Sequence, residues 1–269
     1  MSTYQFQQAG WDKESERLAA LESKFDPVTT DVLARLGVDA GWRCLEIGAG
    51  AGSVARWLAD RVGPTGHVLA VDLETGLLES AAFPNLEVRQ ADILSEDVGG
   101  GFDLAHARLV VGHFPDKVAA LRRMAATLRP GGWLVIEEAD FVLCELDGWA
   151  SSQTVSDAVG ETIGPLAKLW RAGGYDAYLG RRLVPLLQES GLREVRGEAR
   201  TVLGTNAELR LHGLNVERFA DSLLKSGSVS QGQIDHFLAV AADPMEWAGA
   251  ALQVSVWGRR DDPSNDQNA

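Results

Sequence analysis

Hydrophobic positions change period along the chain. Leu18, Leu21 and Phe25 recur at spacings of three and four, which predicts an amphipathic helix over residues 12–25. The "FDP" that follows predicts a break. Asp26 would cap a second helix and Pro27 would sit in its first turn, with the helix running to Leu36 and stopping at Gly37. From Trp42 onward, short apolar runs alternate with helical segments. "RCLEIG" predicts a strand, and "GSVARWLADRV" a helix with Val54, Trp57, Leu58 and Val62 on one face. "HVLAVD" predicts a second strand and "TGLLESAA" a short helix, with "LEVRQAD" as the third strand. "GGGFDLAHAR" reads as a turn and fourth strand. "DKVAALRRMAATL" carries Val118, Leu121, Met124 and Leu128 in helical period, and "RPGGWLVIEEAD" reads as a turn and fifth strand. This alternation predicts βαβ units, a parallel sheet and right-handed connections.

Beyond Asp140 the alternation breaks. Residues 141–180 read as mixed and rich in bulky aromatics, and 177–190 as helical despite Pro185. "LREVRGEARTVL" predicts a strand, and 205–242 predict helices interrupted near "SGSVSQGQ". In "ALQVSVWGRR", Leu252, Val254 and Val256 alternate with Gln253 and Ser255, the pattern of a half-buried strand. "DDPSNDQNA" reads as a disordered tail. The expected organisation is a helical segment 1–40, a ligand-binding core 41–140, the rest of the sheet with helical additions over 141–260, and the tail 261–269.

With 45 % hydrophobic residues, the chain can bury a substantial core. A net charge of −13 without a Lys/Arg cluster disfavours nucleic acid and anionic membrane surfaces as partners. Cys44 and Cys144 flank apolar stretches and are expected as buried thiols, not as a bridge. No apolar run approaches the roughly 20 residues of a membrane span. "MSTYQFQQAGWDKESERLAALESKF" lacks a basic start and an apolar centre, so no signal peptide and a cytoplasmic location are expected.

Candidate chemistry centres on Gly48-Ala49-Gly50-Ala51-Gly52, between the first strand and its helix. A dinucleotide fingerprint needs its third glycine one residue later, where Ser53 stands, so a nicotinamide-dependent oxidoreductase is disfavoured. Acids follow at three successive strand ends: Glu46, Asp72 and Asp92. Ligands of open α/β sheets bind beyond those ends. Three carboxylates in that order suit a ligand with an ammonium group, a ribose and an adenine, and no phosphate.

With "LEIGAGAGSVARWLA", "VLAVDLETGLL", "VRQADIL", "FDLAHARLVVGHFPD" and "LRPGGWLVIEEAD" in sequence over residues 42–140, the chain resembles the class I S-adenosylmethionine-dependent methyltransferases, in particular small-molecule, natural-product types from actinobacteria. The resemblance implies a Rossmann-like α/β fold. Its sheet would have seven mostly parallel strands in the order 3-2-1-4-5-7-6, with helices on both faces. "ALQVSVWGRR" is the candidate for the antiparallel seventh strand. It also implies S-adenosyl-L-methionine as cofactor, held by Glu46, Gly48, Ala49, Gly50, Ser53, Asp72, Leu73, Asp92, Ile93, Ala107 and Arg108. Gly48, Ala49 and Gly50 would pass the methionine part and Glu46 would hold its ammonium. Asp72 would bind the ribose, Leu73, Asp92 and Ile93 would bracket the adenine, and Ala107 and Arg108 would line the sulfonium side.

His113, just past the fourth strand, is the candidate general base. His106 is expected to be packed within the fourth strand, and His212 and His236 to lie at the surface. Glu137, Glu138 and Asp140 end the fifth strand without a recognisable ligand partner, so no metal site is expected. Three added pieces are expected to cover the acceptor: the N-terminal helix, residues 141–176 and residues 203–247. Most of their aromatics (Tyr4, Phe6, Trp11, Phe141, Trp149, Trp170, Tyr175, Tyr178, Phe219, Phe237 and Trp247) would serve packing. The expected activity is in-line methyl transfer to a small organic acceptor in secondary metabolism, by a monomer or homodimer. Two alternatives are O-methylation of a peptide carboxylate and a non-catalytic protein that binds S-adenosylmethionine.

Overall fold

A computed structural model describes residues 12–78 and 83–262. Its strands are β1 (Arg43–Ile47), β2 (His67–Asp72), β3 (Leu86–Gln90), β4 (Phe102–Arg108), β5 (Leu128–Asp140), β6 (Arg193–Arg200) and β7 (Leu252–Arg259). They form one sheet in the order β3-β2-β1-β4-β5-β7-β6. The β1–β2, β1–β4, β2–β3 and β4–β5 pairs are parallel. At the far end of β7, Arg260 accepts a hydrogen bond from the Gly131 amide and donates one to the Gly132 carbonyl, the reciprocal pattern of an antiparallel neighbour. The helices are α1 (Glu14–Arg35), α2 (Ser53–Val62), α3 (Lys117–Ala126), α4 (Gln153–Ala172), α5 (Leu183–Glu189), α6 (Ala207–Ser226) and α7 (Gln231–Ala242).

Contacts divide the chain into two discontinuous units. One comprises the chain up to Phe25, Ala139–Gly180 and Ala199–Gln253; the other comprises Asp26–Glu138, Arg181–Glu198 and the chain from Val254. In the second unit, Cys44, Val68, Ala70, Leu104 and Val135 present one face of the sheet. Val28, Val32 and Leu33 of α1 and Val54, Leu58 and Val62 of α2 pack against it. In the first unit, Phe141, Trp170, Tyr175 and Phe219 meet edge to face, with ring centroids 5.5–6.1 Å apart. Both cysteines are free and buried.

Several elements differ from their sequence patterns. The break at "FDP" does not occur, and α1 runs unbroken through Pro27. Proline removes one helical hydrogen bond at a cost of about 3 kcal/mol. Burial of Ala20, Phe25, Val28, Val32 and Leu33 along one continuous stripe outweighs that loss. Trp57 is only half-buried, because Ala55 and Ala59 lie on the inner face of α2 in its place. No helix follows β2 over 75–78, which form a turn; the rest of that expected helix, 79–82, lies outside the described residues.

The "RPGG" turn is absorbed into β5, where the pairing with β4 shifts between Phe102 and Leu104. The mixed reading of 141–180 gives way to the 20-residue helix α4. Its buried stripe, from Val155 through Ile163 to Trp170, was masked by Gly160, Gly164 and Pro165. β7 is buried on both faces and not on one, because it lies between β5 and β6. Its polar residues find internal partners: Gln253 donates to the Phe25 carbonyl at 3.3 Å and Ser255 to Glu137 at 2.5 Å. Tyr4, Phe6, Trp11 and most of the expected tail lie outside the described residues. Among the described residues, no helix is long and apolar enough to cross a membrane.

Candidate active site

The loop between β1 and α2 turns on three left-handed glycines, Gly48 (φ 71°), Gly50 (φ 57°) and Gly52 (φ 89°). Two of them are also forced by space. A Cβ at Gly48 would lie 2.3 Å from Val110 Cγ2, and one at Gly52 would lie 2.7 Å from Leu78 Cδ2. Four of the loop amides are spent internally. Gly48 and Ala49 donate to the Val71 carbonyl, Gly52 to the Ala49 carbonyl, and Gly50 to Asp72 Oδ2 at 2.8 Å. A phosphate-binding loop points such amides at its ligand; these four do not, which argues against a dinucleotide. Gly48→Ala is expected to displace the loop and abolish detectable nucleoside-ligand binding by calorimetry, with the rest of the fold kept.

Asp72 closes β2 beside this loop. Besides the Gly50 amide it accepts the Glu74 amide at 3.1 Å. Burial pushes its carboxyl up, against the pull of those backbone donors. Leu73, next in sequence, is 38 % exposed, an apolar side chain at the strand end without a full protein cover. Asp92 accepts from the Leu94 amide and Ser95 Oγ, and Ile93 is buried. An acid, an exposed leucine and a second acid at adjacent strand ends fit a ribose and an adenine. A crowded glycine turn fits the slender methionine part.

Glu46, by contrast, faces inward. It is 3 % exposed, and His106 Nδ1 lies 2.7 Å from its Oε2. Register explains the pair: Glu46 sits opposite His106, and Arg108 opposite Glu137, on the face whose apolar rows continue through Cys44, Leu104 and Val135. That face therefore turns from core to charge as it nears the carboxyl ends of the strands. His106, fully buried, also lies 3.4 Å from Glu137. Glu137 accepts from Ser255 Oγ and Thr29 Oγ1. Arg108 donates to Thr29 at 2.9 Å and pairs with Asp26 at 2.9 Å, and Asp26 accepts from Ser53 Oγ at 3.0 Å.

The network thus runs from β1 through β4, β5 and α1 back to the first turn of α2. Asp26, expected as a helix cap, is one of its members, because α1 does not break there. Burial alone would lower the His106 pKa, but the two glutamates outweigh it and raise it to about 9. Glu46 is raised by burial, against His106; for Glu137 the same opposition ends in a lowered value.

Ala107 is buried in β4. Leu109 follows in left-handed conformation (φ 58°), a strained backbone reversal of the kind that collects at functional sites. It leads Val110 beneath Gly48 and into a short 3-10 turn, Val111–His113, that carries half-buried His113. His106 is packed in β4 as expected. His236 is exposed, but His212 is not a surface residue. It is 2 % exposed and lies 3.0 Å from Glu208, because α6 turns that side inward. Asp26, Thr29 and Ser255 were not legible as site residues; their only signal is polar character inside otherwise buried stripes. Among the described residues, no group of three or more histidines, cysteines and acids is placed to hold a metal ion.

Residues 7–194 match the family model described as "Methyltransferase domain". The chain is 30 % identical over 182 residues to methyltransferase str3 of Strobilurus tenacellus, covering 66 % of this chain and 63 % of that protein. It is 31 % identical over 134 residues to a trans-aconitate 2-methyltransferase of Methylobacterium nodulans, covering 49 % and 51 % of the two. The chain spans just under two thirds of the length of its first curated relatives.

Solved structures of similar fold include phosphoethanolamine N-methyltransferase 2 of Haemonchus contortus with S-adenosyl-L-methionine. It is 17 % identical with a TM-score of 0.53, over 94 % of this chain and 53 % of that one. Another is the [4+2]-cyclase SpnF, 18 % identical with a TM-score of 0.57, over 88 % of this chain and 80 % of that one. The chain belongs to the methyltransferase-domain family, with the fold of the class I S-adenosylmethionine-dependent methyltransferases.

Proposed function

We propose that the chain binds S-adenosyl-L-methionine across the carboxyl ends of β1–β4 and catalyses methyl transfer to a small organic acceptor, in secondary metabolism. The observation that carries the reading is the Asp72–Gly50 contact. A carboxylate at the β2 end is braced by the glycine loop, beside exposed Leu73, and the Gly48, Ala49, Gly50 and Gly52 amides are engaged within the chain. When bound, the cofactor supplies an electrophilic methyl on a sulfonium with a neutral leaving group. The chain's share is to hold and orient both reactants and exclude water. Asp72 would take the ribose hydroxyls, Leu73, Asp92 and Ile93 the adenine, and Gly48–Gly50 the methionine part.

Glu46 is held toward His106, so its reach to the ammonium would pass through its second oxygen or a water. Arg108 is engaged by Thr29 and Asp26 and would act on the sulfonium side through the network, not by contact. His113 is the base for an acceptor that must lose a proton. A relative named for trans-aconitate supports an acceptor of small-molecule size. One solved structure of similar fold is named for cyclase and not for methyltransferase activity; the second reading is cofactor binding without methyl transfer. Transfer of labelled methyl from the cofactor to a compound panel separates the two.

The binding test needs no acceptor. Calorimetry should show S-adenosylhomocysteine binding and no NAD binding. Asp72→Ala should weaken S-adenosylhomocysteine at least about tenfold, since a hydrogen bond to a charged group contributes about 1.5–3 kcal/mol. Unchanged affinity in that variant would reject the assignment.

A further inference from the structure

Glu138 is the charged residue that the reading above leaves without a task. It follows Glu137 in β5 and so points to the opposite face of the sheet. It is 1 % exposed. The Gly112 amide donates to its Oε1 at 2.9 Å, and the Val111 and Val110 amides also stabilise the carboxylate. Among the described residues, its other oxygen, Oε2, is buried with no hydrogen-bond partner. A buried carboxylate oxygen without a donor is costly, and native folds rarely keep one without a use.

The turn that grips Oε1 is the turn that meets the glycine loop. Val110 Cγ2 fills the place a Cβ would take at Gly48, and His113 ends the same turn. Leu109 holds a strained left-handed conformation to bring the turn there. The unmatched oxygen therefore belongs to the carboxyl end of β5, one turn away from the loop assigned to the cofactor. An acidic group held from one side by amides, with its other side unmatched, is complementary to an N–H or O–H donor.

We propose that Glu138 contacts the methyl acceptor, its Oε1 fixed by the Gly112 amide and its Oε2 accepting a hydrogen bond from the acceptor's N–H or O–H group. The proposal rests on the methyltransferase reading and deepens it: it selects amines, hydroxyls and phenols over ionised carboxylates, which carry no such hydrogen. Burial raises the Glu138 carboxyl to about 7, the backbone donors and Lys117 of α3 opposing that rise. The contact should therefore strengthen as pH rises through that value. Charged or titratable neighbours that could share this dependence are Lys117 of α3, Arg182 beside Lys117, and His113 at the end of the gripping turn.

Sinefungin is a suitable probe, because it carries a primary amine where the cofactor carries its transferable methyl. Its affinity is compared by calorimetry with that of S-adenosylhomocysteine, which lacks the amine, in the full chain at pH 8. Glu138→Gln keeps a carbonyl oxygen for the Gly112 amide but replaces the unmatched acceptor with a donor. The expected result is S-adenosylhomocysteine affinity within about twofold of the unsubstituted protein and sinefungin weakened about tenfold or more. Equal weakening of both ligands would mean that Glu138 only shapes the turn, and no change in either would mean that Oε2 meets nothing; both overturn the proposal.

Should the variant not fold, the unsubstituted protein still decides. Its preference for sinefungin over S-adenosylhomocysteine should fall several-fold from pH 8 to pH 6, and a flat ratio overturns the proposal. If the protein binds neither ligand, the cofactor reading itself fails, a result separate from the other outcomes.

Discussion

Replacing His106 with glutamine should destabilise the protein by about 3–5 kcal/mol, because removing one partner leaves buried charges uncompensated. The residue is fully buried between Glu46 and Glu137, which are themselves 3 % and 1 % exposed. Glutamine keeps a donor for Glu46 but brings no charge, so the variant isolates the electrostatic part of the interaction. The pH dependence has a fixed sign. The His106 pKa is raised in the folded state to about 9. Its stabilisation is therefore complete below the unfolded value near ~6.5 and is lost as pH rises through about 9. Glu46, also raised by burial, has the same sign: it ionises less readily in the fold than in the unfolded chain, so its contribution too is lost as pH rises, in a window starting at the ordinary carboxylate range.

Two measurements check the prediction. Denaturant unfolding of the variant at pH 7 gives the loss directly. Nitrogen-labelled histidine spectra should show one imidazole that remains doubly protonated until pH approaches 9. A variant within 1 kcal/mol of the unsubstituted protein, or a His106 that titrates near ~6.5, would show that the network is neutral and not ionic.

Much of this arrangement is legible in the sequence, for a physical reason. β1, β2 and the Trp133–Ile136 stretch of β5 are short apolar runs between glycine turns and acids, the pattern of strands buried on both faces of a parallel sheet. The glycine spacing around Gly48 and the strand-end acids Asp72 and Asp92 are local in sequence, so their roles follow from position. What was not legible is non-local. Asp26 reads as a helix cap beside Pro27, and only the burial of α1 on the sheet turns it toward Arg108 and Ser53. Ser255 reads as the wet side of a half-buried strand until β7 takes its place between β5 and β6. His212 reads as surface until α6 turns it toward Glu208. Glu137 and Glu138 read as one acidic pair at a strand end. The pleat sends them to opposite faces, one to an imidazolium and one to the amides of the turn after β4.

That turn carries the last expectation, which separates chemistry from scaffold at His113. The residue ends the Val111–His113 turn, directly after Leu109 reverses the chain and Val110 passes under Gly48. If His113 removes the acceptor's proton, His113→Ala should cut the transfer rate by roughly 10²–10⁴ while S-adenosylhomocysteine affinity stays nearly intact. The rate should also lose an ascending limb near pH ~6.5, the unperturbed histidine value. If the imidazole only supports the turn, affinity and rate should fall together, because Val110 and the glycine loop move with it. Glu138→Gln serves as the internal comparison, since it leaves the imidazole in place and alters only the hydrogen bond expected at the acceptor. An unchanged rate and pH profile in His113→Ala would reject the base role. It would also direct the acceptor search to ionised carboxylates, the class that needs no proton removed and that Glu138 would repel.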